Sequence, residues 1–336
     1  MKILSIETSC DETAIAVVEC SGGAEAPVFT VRAHVVATQI ATHRPFGGVV
    51  PSLAKREHLI NLPLAYAEVL GQLKATECEA KFDRIAVTVG PGLEPALWTG
   101  INFAKDLGER LGVPVVGANH LEGHVYSNWL DAESTKKMQF PAVVLLVSGG
   151  HTALIVMDGM QKWRKLGETQ DDAAGEAFDK VAKMLGLPYP GGPEVEKLAH
   201  EGNLEAIAFP RPMLHSGDFN FSFSGLKTSV LYHMKAHPDA SAADVCASFQ
   251  KAAIDVLVTK AMRAAEENGV QSVLLCGGVA SNAALHAELK RRAEDVGMQF
   301  SAPAMHYNGD NAVMIAAASY LGTAHPVEIA LPNLNI

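Results

Sequence analysis

Short runs of apolar residues alternate along this chain with longer segments of amphipathic pattern. The runs Lys2–Ile6 and Ala14–Val18 flank a polar turn, and the runs Ala142–Val147 and Ala153–Met157 flank another. Apolar runs of this length, bounded by turn residues, are typical of buried strands, so each pair predicts a hairpin. Strands that alternate with amphipathic helices are typical of an α/β protein.

The two halves of the chain repeat one plan, in which each hairpin is followed by a strand, a glycine turn, a helix and a strand. In the first half these elements are Arg84–Val89, Gly90–Gly92, Pro95–Leu111 and Val113–Gly117, and in the second half they are Ser272–Cys276, Gly277–Gly278, Asn282–Ala293 and Met298–Ser301. The repeat predicts two ribonuclease-H-like lobes, as in the actin-like ATPase superfamily, with a nucleotide cleft between them. We expect residues 1–117 and 310–336 to form the N-terminal lobe and residues 118–309 to form the C-terminal lobe. A chance resemblance among common α/β pieces is the alternative.

Composition and charge narrow the function classes. The 336 residues are 48% hydrophobic, and 27 basic against 37 acidic residues give a formal net charge of −10, so bulk electrostatic binding of nucleic acid is not expected. The basic clusters Lys162–Lys165 and Lys290–Arg292 are candidate RNA contacts, with solvated surface as the alternative. The 5 cysteines form no CxxC pair, which favours a reducing compartment. The apolar stretches are far shorter than the roughly 20 residues that span a bilayer, so we predict a cytoplasmic protein without membrane contact.

The segment His120–His124 reads His-Leu-Glu-Gly-His and places two histidines four positions apart. In a helix, both imidazoles would lie on one face and form half of a metal site, whereas a structural role is the alternative. The spacing equals that of the HExxH zinc proteases. Glu122, however, is shifted by about 100° around the helix from the position of the water-activating glutamate. The geometry therefore weakens a metalloprotease interpretation.

A third ligand is available near the C-terminus, where Asp310 precedes an apolar helix predicted over Val313–Leu321. Aspartate is a good N-cap, which is one interpretation of this residue. In the other interpretation, Asp310 joins His120 and His124 in a set of two histidines and one carboxylate. Such a set leaves open positions for substrate and suits iron or zinc. The residues alone leave both interpretations open.

Two glycine-containing turns follow buried strands. In Leu146–Thr152, which reads Leu-Val-Ser-Gly-Gly-His-Thr, backbone amides and hydroxyls can face one anion, although an ordinary hairpin turn has the same residues. Gly277–Asn282 places small residues and an amide side chain at a helix start, where adenine or ribose can dock. Simple capping of that helix by Ser281 or Asn282 is the alternative.

Two acidic segments complete the candidate chemistry. Asp171–Lys180 carries Glu176 and Asp179 on one helix face, and carboxylates commonly hold ribose hydroxyls, although a solvated acidic face is the usual explanation. Glu7–Thr13, in the turn of the first hairpin, offers hydroxyls and carboxylates to phosphates and their metal.

Together these motifs resemble the TsaD family, once called O-sialoglycoprotease. The matching segments are Ile6–Thr13, Gly47–Pro51, His120–His124, Ser148–Thr152, Asp171–Lys180, Phe221–Thr228 and Gly277–Val279. The resemblance implies an acyltransferase that moves the threonylcarbamoyl group from threonylcarbamoyl-AMP to N6 of an adenosine in tRNA. The acceptor would be the adenosine 3′ of the anticodon in tRNAs that read codons starting with A.

The resemblance also implies site residues. His120, His124 and Asp310 fall on the ligands of one iron or zinc ion per chain. The positions that fall on substrate contacts are Leu146, Val147, Ser148, Gly149, Gly150, Asp179, Gly192 and Asn282. Asp11 is a candidate proton acceptor for the attacking amine. Glu196 stands where many members have aspartate and receives no role.

The resemblance further implies a bacterial-type complex with tRNA, a TsaB-like protein and a TsaE-like ATPase, and a donor made by a TsaC-type synthase. Two other classes remain open at this point. A small-molecule kinase or ATPase of the same fold would need a carboxylate base and magnesium, and would leave the histidine pair unexplained. A metalloprotease would need a general base beside the first histidine.

Overall fold

The chain divides into two compact units in the computed structural model, which describes residues 1–131 and 138–336. Residues 1–131 and 303–336 belong to the first unit, and residues 138–302 form the second. The predicted lobe boundaries at 117/118 and 309/310 differ from this division. The helix that begins at His120 belongs to the first unit, because it packs on the last helix of that unit.

The first unit is built around a five-stranded sheet. Its strands are β1 (Lys2–Glu7), β2 (Glu12–Ser21), β3 (Val28–Thr38), β4 (Arg84–Gly90) and β5 (Val115–Asn119). Its helices are α1 (Ile40–His43), α2 (Pro51–Ala75), α3 (Glu94–Leu111), α4 (His120–Tyr126) and, from the C-terminal segment, α10 (Ala312–Leu321).

The second unit repeats this arrangement around its own five-stranded sheet. Its strands are β6 (Ala142–Val147), β7 (Thr152–Gly159), β8 (Lys162–Glu168), β9 (Ser272–Cys276) and β10 (Gln299–Ser301). Its helices are α5 (Ala174–Met184), α6 (Gly191–Ala199), α7 (Ser224–Ala236), α8 (Ala242–Glu267) and α9 (Ala283–Asp295).

The two sheets share one topology. The strand order is β3-β2-β1-β4-β5 in the first unit and, read from the opposite edge, β8-β7-β6-β9-β10 in the second. In both, the three hairpin strands are antiparallel and the last two strands run parallel to the first. The predicted α/β fold with two ribonuclease-H-like lobes is therefore confirmed.

Strand β1 shows how the first sheet separates its two faces. Leu4 and Ile6 lie in the apolar core that the sheet forms with α2 and α3. Ser5 points to the other face, because successive side chains alternate along a strand. There its hydroxyl donates to the carbonyl of Ala312, at the start of α10, over 2.6 Å. Helix α10 is buried almost all round, as its apolar sequence predicts.

The parallel strands position the candidate site of the first unit. Strand β5 runs directly into α4, and the side chain of Asn119 caps that helix by accepting from the amides of Leu121 and Glu122. Gly123 permits close packing of α4 on α10, since a Cβ at this position would lie 3.0 Å from Met314 Cγ.

Within the described part of the chain, no helix is long and apolar enough to cross a membrane.

Candidate metal centre and nucleotide-binding turns

The two histidines of α4 lie on one face of the helix, as their spacing predicts. Their ring centroids are 4.7 Å apart, and both side chains are buried. Asp310 Oδ1 lies 3.1 Å from His124 Nε2 and 3.5 Å from His120 Nε2. One ligand atom from each of the three residues lies within 4.8 Å of the others. The structure therefore brings together the set of two histidines and one carboxylate.

The geometry and the polar inventory of this set fit a metal ion. Ligand atoms bound to one tetrahedral zinc ion lie about 3.4 Å apart, close to the two distances to Asp310. Among residues 1–131 and 138–336, neither ring nitrogen of His124 has a hydrogen-bond partner, although both are buried. Buried polar atoms are normally satisfied, and a bound cation would satisfy Nε2. No ion is part of the structure, so the fit rests on these side chains.

Asp310 is not the cap of α10, which was the competing interpretation. The neighbouring Asn311 caps the helix, and its Oδ1 accepts from the amide of Met314 over 3.0 Å. The carboxylate of Asp310 is thereby directed to the histidine pair instead of to the helix end. The N-cap interpretation of Asp310 is therefore wrong, and the metal-ligand interpretation agrees with the geometry.

Carboxylates dominate the electrostatics around the pair. Burial alone would lower the pKa of His120, but the charges of Asp310 and Glu7 reverse this effect and raise the pKa to about 9. Burial raises the pKa of Glu12 well above its ordinary range, and the nearby charges of Asp11 and Asp310 raise it further. A buried cluster that is rich in carboxylates favours a cation at its centre. Asp11 itself is buried in the turn of the first hairpin.

Glu122 is turned away from the pair, as expected from its place on the helix. Its Oε2 accepts from the amide of Thr323 over 3.2 Å, beside Gly322. Burial raises the pKa of this carboxyl to about 7. A carboxyl held by another segment of the chain does not activate water on a metal at the histidines. The geometry thus disfavours the metalloprotease class.

The candidate substrate residues lie in the second unit, where two strand ends meet. Leu146 and Val147 end the buried strand β6, and the turn from Ser148 to His151 follows. Ser148 Oγ accepts from the amide of His151 over 3.1 Å. Gly149 and Gly150 are exposed, and a Cβ at either would meet no atom within 4 Å.

Backbone amides link the starts of three helices of this unit to neighbouring elements. Gly175 in the first turn of α5 donates from its amide to Ser148 O over 3.2 Å, and its Cβ would lie 2.8 Å from Gly149 Cα. Asp179 on α5 accepts from the amide of Gly191, where α6 begins. Glu196 on α6 accepts from the amide of Ala283, where α9 begins. All three amides are therefore paired within the unit, two of them with carboxylates, so these contacts hold the helix starts in place and phosphate binding at the turn stays a prediction.

Asn282 and Gly192 have different surroundings. The side chain of Asn282 is buried and caps α9, since its Oδ1 accepts from Leu285 N while its amide donates to Gln250 Oε1. The capping interpretation is therefore correct for this residue, and its ligand contact stays a prediction. Gly192, in the first turn of α6, has open space where a Cβ would stand.

Sequence reasoning did not predict several contacts that support these sites. Asn119 caps α4, and an asparagine directly before a predicted helix is a signal that could have identified it. Thr152 Oγ1 accepts from the amide of Ala174 and ties the β6–β7 hairpin to α5. Thr88 donates to the buried Glu7. The last two contacts join segments that are distant in the sequence, so no local sequence pattern indicates them.

Comparison with known proteins decides the family. The model of the TsaD family, described as tRNA N6-adenosine threonylcarbamoyltransferase, matches residues 30–317. The chain belongs to the TsaD family. The tRNA N6-adenosine threonylcarbamoyltransferase of Thermosipho melanesiensis is 47% identical over an alignment of 339 positions that covers 100% of both chains. The protein of the same name from Geobacter metallireducens is 49% identical over 320 residues, 94% of this chain and 90% of the relative.

Solved structures support the fold. HypF from T. kodakarensis superposes with a TM-score of 0.63 at 15% identity, over 95% of this chain and 47% of HypF. Full-length HypF in its phosphate- and nucleotide-bound form gives a TM-score of 0.60 at 12% identity, over 94% of this chain and 45% of HypF. At such identities the likeness concerns the fold alone.

Proposed function

We propose that this TsaD-family chain transfers the threonylcarbamoyl group from threonylcarbamoyl-AMP to N6 of the adenosine 3′ of the anticodon. The substrates would be tRNAs that read codons starting with A, and the product is N6-threonylcarbamoyladenosine. The observation that carries the proposal is the 47% identity over the full length of a tRNA N6-adenosine threonylcarbamoyltransferase. The candidate metal ligands of the first unit and the turn from Ser148 to His151 in the second unit both agree with it.

We assign the metal site to His120, His124 and Asp310. An iron or zinc ion held there would supply Lewis-acid polarisation of an oxygen of the threonylcarbamoyl group. Three protein ligands leave positions for substrate, which is the pattern of catalytic rather than structural sites. The two imidazoles and the carboxylate would hold the ion.

The AMP part of the donor is assigned to the second unit. The turn that begins at Ser148 would hold the phosphate and stabilise the charge that develops as AMP leaves. The exposed Gly149 and Gly150 leave room for the phosphate to approach the backbone. Asp179, Gly192 and Asn282 are assigned further contacts to the adenylate.

The reaction needs little covalent chemistry from the protein. A bond forms between N6 of the adenosine and the carbamoyl carbon, the bond from that carbon to the phosphate oxygen breaks, and AMP leaves. The amine loses one proton, for which we assign Asp11 as the acceptor. Since the mixed anhydride is already activated, positioning of the reactants supplies much of the rate.

We further propose that the chain works in the cytoplasm with a TsaB-like and a TsaE-like protein and receives the donor from a TsaC-type synthase. The net charge of −10 supports a need for partners, because an acidic surface repels a polyanion at long range. Partner proteins that complete a positive surface would raise the association rate with tRNA.

One assay separates the three function classes. The purified chain, with and without partners, is given threonylcarbamoyl-AMP and tRNA, ATP with small-molecule acceptors, or casein. We expect threonylcarbamoyl-tRNA in the first reaction and neither phosphorylation nor peptide release in the others. Metal-dependent peptide release without tRNA modification would refute the proposal.

A further inference from the structure

Glu7, the last residue of β1, has a carboxylate that is completely buried. Its Oε1 accepts from the amide of Ser9, and its Oε2 accepts from the hydroxyl of Thr88 over 2.6 Å. The same Oε2 lies 3.1 Å from His120 Nδ1. A buried carboxylate is costly unless its oxygens are hydrogen-bonded, and here three donors serve the two oxygens. The carboxylate therefore has a fixed position and orientation.

The contact with Glu7 determines which nitrogen of His120 carries a proton when the other binds a metal. An ionised carboxylate only accepts hydrogen bonds, so Nδ1 must be the donor. Nε2 then holds the lone pair, and Nε2 is the atom that lies 3.5 Å from Asp310. The hydroxyl of Ser9, 3.2 Å from the same Nδ1, can donate or accept and so does not select a tautomer.

We propose that Glu7 is a positioning residue of the metal centre, which holds the Nδ1–H of His120 so that Nε2 is presented as a ligand. The inference rests on the proposed metal site of His120, His124 and Asp310. Glu7 itself is not a ligand, because its near oxygen faces the opposite nitrogen of the ring. Histidine ligands in metalloproteins commonly donate their second N–H to such a carboxylate, which orients the ring and raises its basicity.

The two histidines differ in this respect. Within the described residues, Nδ1 of His124 has no hydrogen-bond partner, whereas Nδ1 of His120 is held by Glu7. His120 is therefore the ligand whose orientation is set before metal binding. The sheet brings Thr88 beside Glu7, because Ile6 on β1 pairs with Val87 on β4 and these two residues come next on their strands.

The side chain of Glu7 is specific for this role. Glutamine has the same length but only one acceptor oxygen, and the three donors need two. If its oxygen meets Ser9 N–H, its NH2 group faces His120 Nδ1 and demands the tautomer with the proton on Nε2. That tautomer opposes metal binding at Nε2.

The test compares Glu7→Gln with Thr88→Val and Glu122→Gln in the full chain, stripped of metal and titrated with cobalt(II) and zinc(II) against a chromophoric chelator. Because Thr88 itself helps to hold Glu7, its variant measures the contribution of that support, and the matched control is Glu122→Gln, which makes the same change at a buried carboxyl of α4 that is turned away from the histidines. We expect Glu7→Gln to weaken affinity about 10- to 100-fold and to change the cobalt absorption spectrum. The control should change affinity less than about threefold, with circular dichroism unchanged in all three variants.

Equal affinity and an identical cobalt spectrum in wild type and Glu7→Gln would overturn the role of Glu7 and leave the metal site intact. Absence of cobalt binding by the wild type would overturn the metal site as well. A measurement without any variant covers the case in which Glu7→Gln does not fold. Long-range ¹⁵N–¹H spectra of the histidines in the zinc-loaded wild type should show Nδ1 of His120 protonated and Nε2 metal-bound, and the reverse assignment would refute the inference.

Discussion

Histidines in the first unit occupy different environments, and these environments decide what each residue can do. His120 lies between the carboxylates of Glu7 and Asp310, and Nε2 of His124 lies 3.1 Å from Asp310 Oδ1. His34 on β3 has a buried Nε2 without a partner in the described chain, but it is not part of the ligand set. Burial alone therefore does not make an imidazole a candidate ligand, and the two candidates are histidines that the carboxylate of Asp310 faces.

At the residue scale, we expect His120→Ala and His124→Ala to lose bound metal while the fold survives. Removal of one of three ligands should weaken metal binding by more than the roughly 10- to 100-fold that a supporting residue costs. Metal content by mass spectrometry measures the effect, and circular dichroism checks the fold. His306→Ala, at an exposed histidine near Asp310, is the matched control. Full metal occupancy in both ligand variants would contradict the assignment.

A second residue-scale prediction concerns His34 and pH. Burial lowers the pKa of His34 to about 4, below the value of about 6.5 in an unfolded chain. The unfolded state therefore binds more protons between these values, so His34 adds stability above pH 6.5 that is lost as the pH falls towards 4. We expect about 2–3 kcal/mol of such loss between pH 7 and 4.5.

Urea unfolding of wild type and His34→Gln at both pH values measures this loss as a difference between the two chains. The backbone of His34 bonds to Gln72, so the substitution leaves these hydrogen bonds in place. The free energy of unfolding should fall less with acidification in the variant. Parallel pH dependence in the two chains would exclude the proposed protonation.

The Asp310–Asn311 pair shows the limit of sequence reasoning at this scale. Both residues cap helices well, and both precede α10, so their order alone does not tell which one caps. The structure gives the cap to Asn311 and directs Asp310 to the histidines. Glu7 has no local signal either, because its partner His120 is 113 positions away.

At the element scale, the buried strands and the glycine turns after them were predictable. Strand β6 is a continuous apolar run, β9 is apolar after Ser272, and β1 is apolar from Ile3 to Ile6 except for Ser5. Turn residues mark the ends of these strands. The edge strands β3 and β8 were missed. Strand β8 reads Lys-Trp-Arg-Lys-Leu-Gly-Glu, and charged edge strands that protect a sheet from further pairing do not look like buried strands.

Helix α6 provides an element-scale prediction, because Gly192 in its first turn faces open space. Gly192→Ala adds a methyl group where the adenylate would lie, and an intruding methyl costs about 1–3 kcal/mol. We expect AMP affinity to fall about tenfold. The free energy of unfolding should stay equal or rise by up to about 1 kcal/mol, since alanine restricts the unfolded chain.

Calorimetry with AMP measures this prediction, and Gly217→Ala is the matched control. Gly217 is exposed, and as at Gly192 a Cβ there would meet no atom within 4 Å. The control should keep its AMP affinity. Unchanged AMP affinity in Gly192→Ala would show that the adenylate lies elsewhere.

At the scale of the whole molecule, the negative net charge opposes the approach of tRNA. One of the two basic clusters is neutralised within its own helix, since Arg291 pairs with Glu288 and Asp295 while Arg292 also pairs with Glu288. That pairing weakens the case for this cluster as an RNA contact. The cluster therefore does not compensate locally for the chain's net charge of −10.

We therefore expect the isolated chain to bind tRNA weakly and to modify it poorly until partners are added. Binding and threonylcarbamoyl transfer are measured across a salt series, with the chain alone and with TsaB-like and TsaE-like proteins. A partner that completes a positive track should restore binding with a clear salt dependence. Tight binding and repeated turnover by the isolated chain at physiological salt would refute the partner requirement.

The most direct test of the central claim is mass-spectrometric detection of N6-threonylcarbamoyladenosine in tRNA after incubation with threonylcarbamoyl-AMP and the partner proteins. The wild-type chain should form the modified nucleoside, and His124→Ala should form almost none under the same conditions, while His306→Ala should match the wild type. Absence of the modified nucleoside with wild type, donor and partners all present would contradict the proposed function. Full activity of His124→Ala would contradict the role of the metal centre in it.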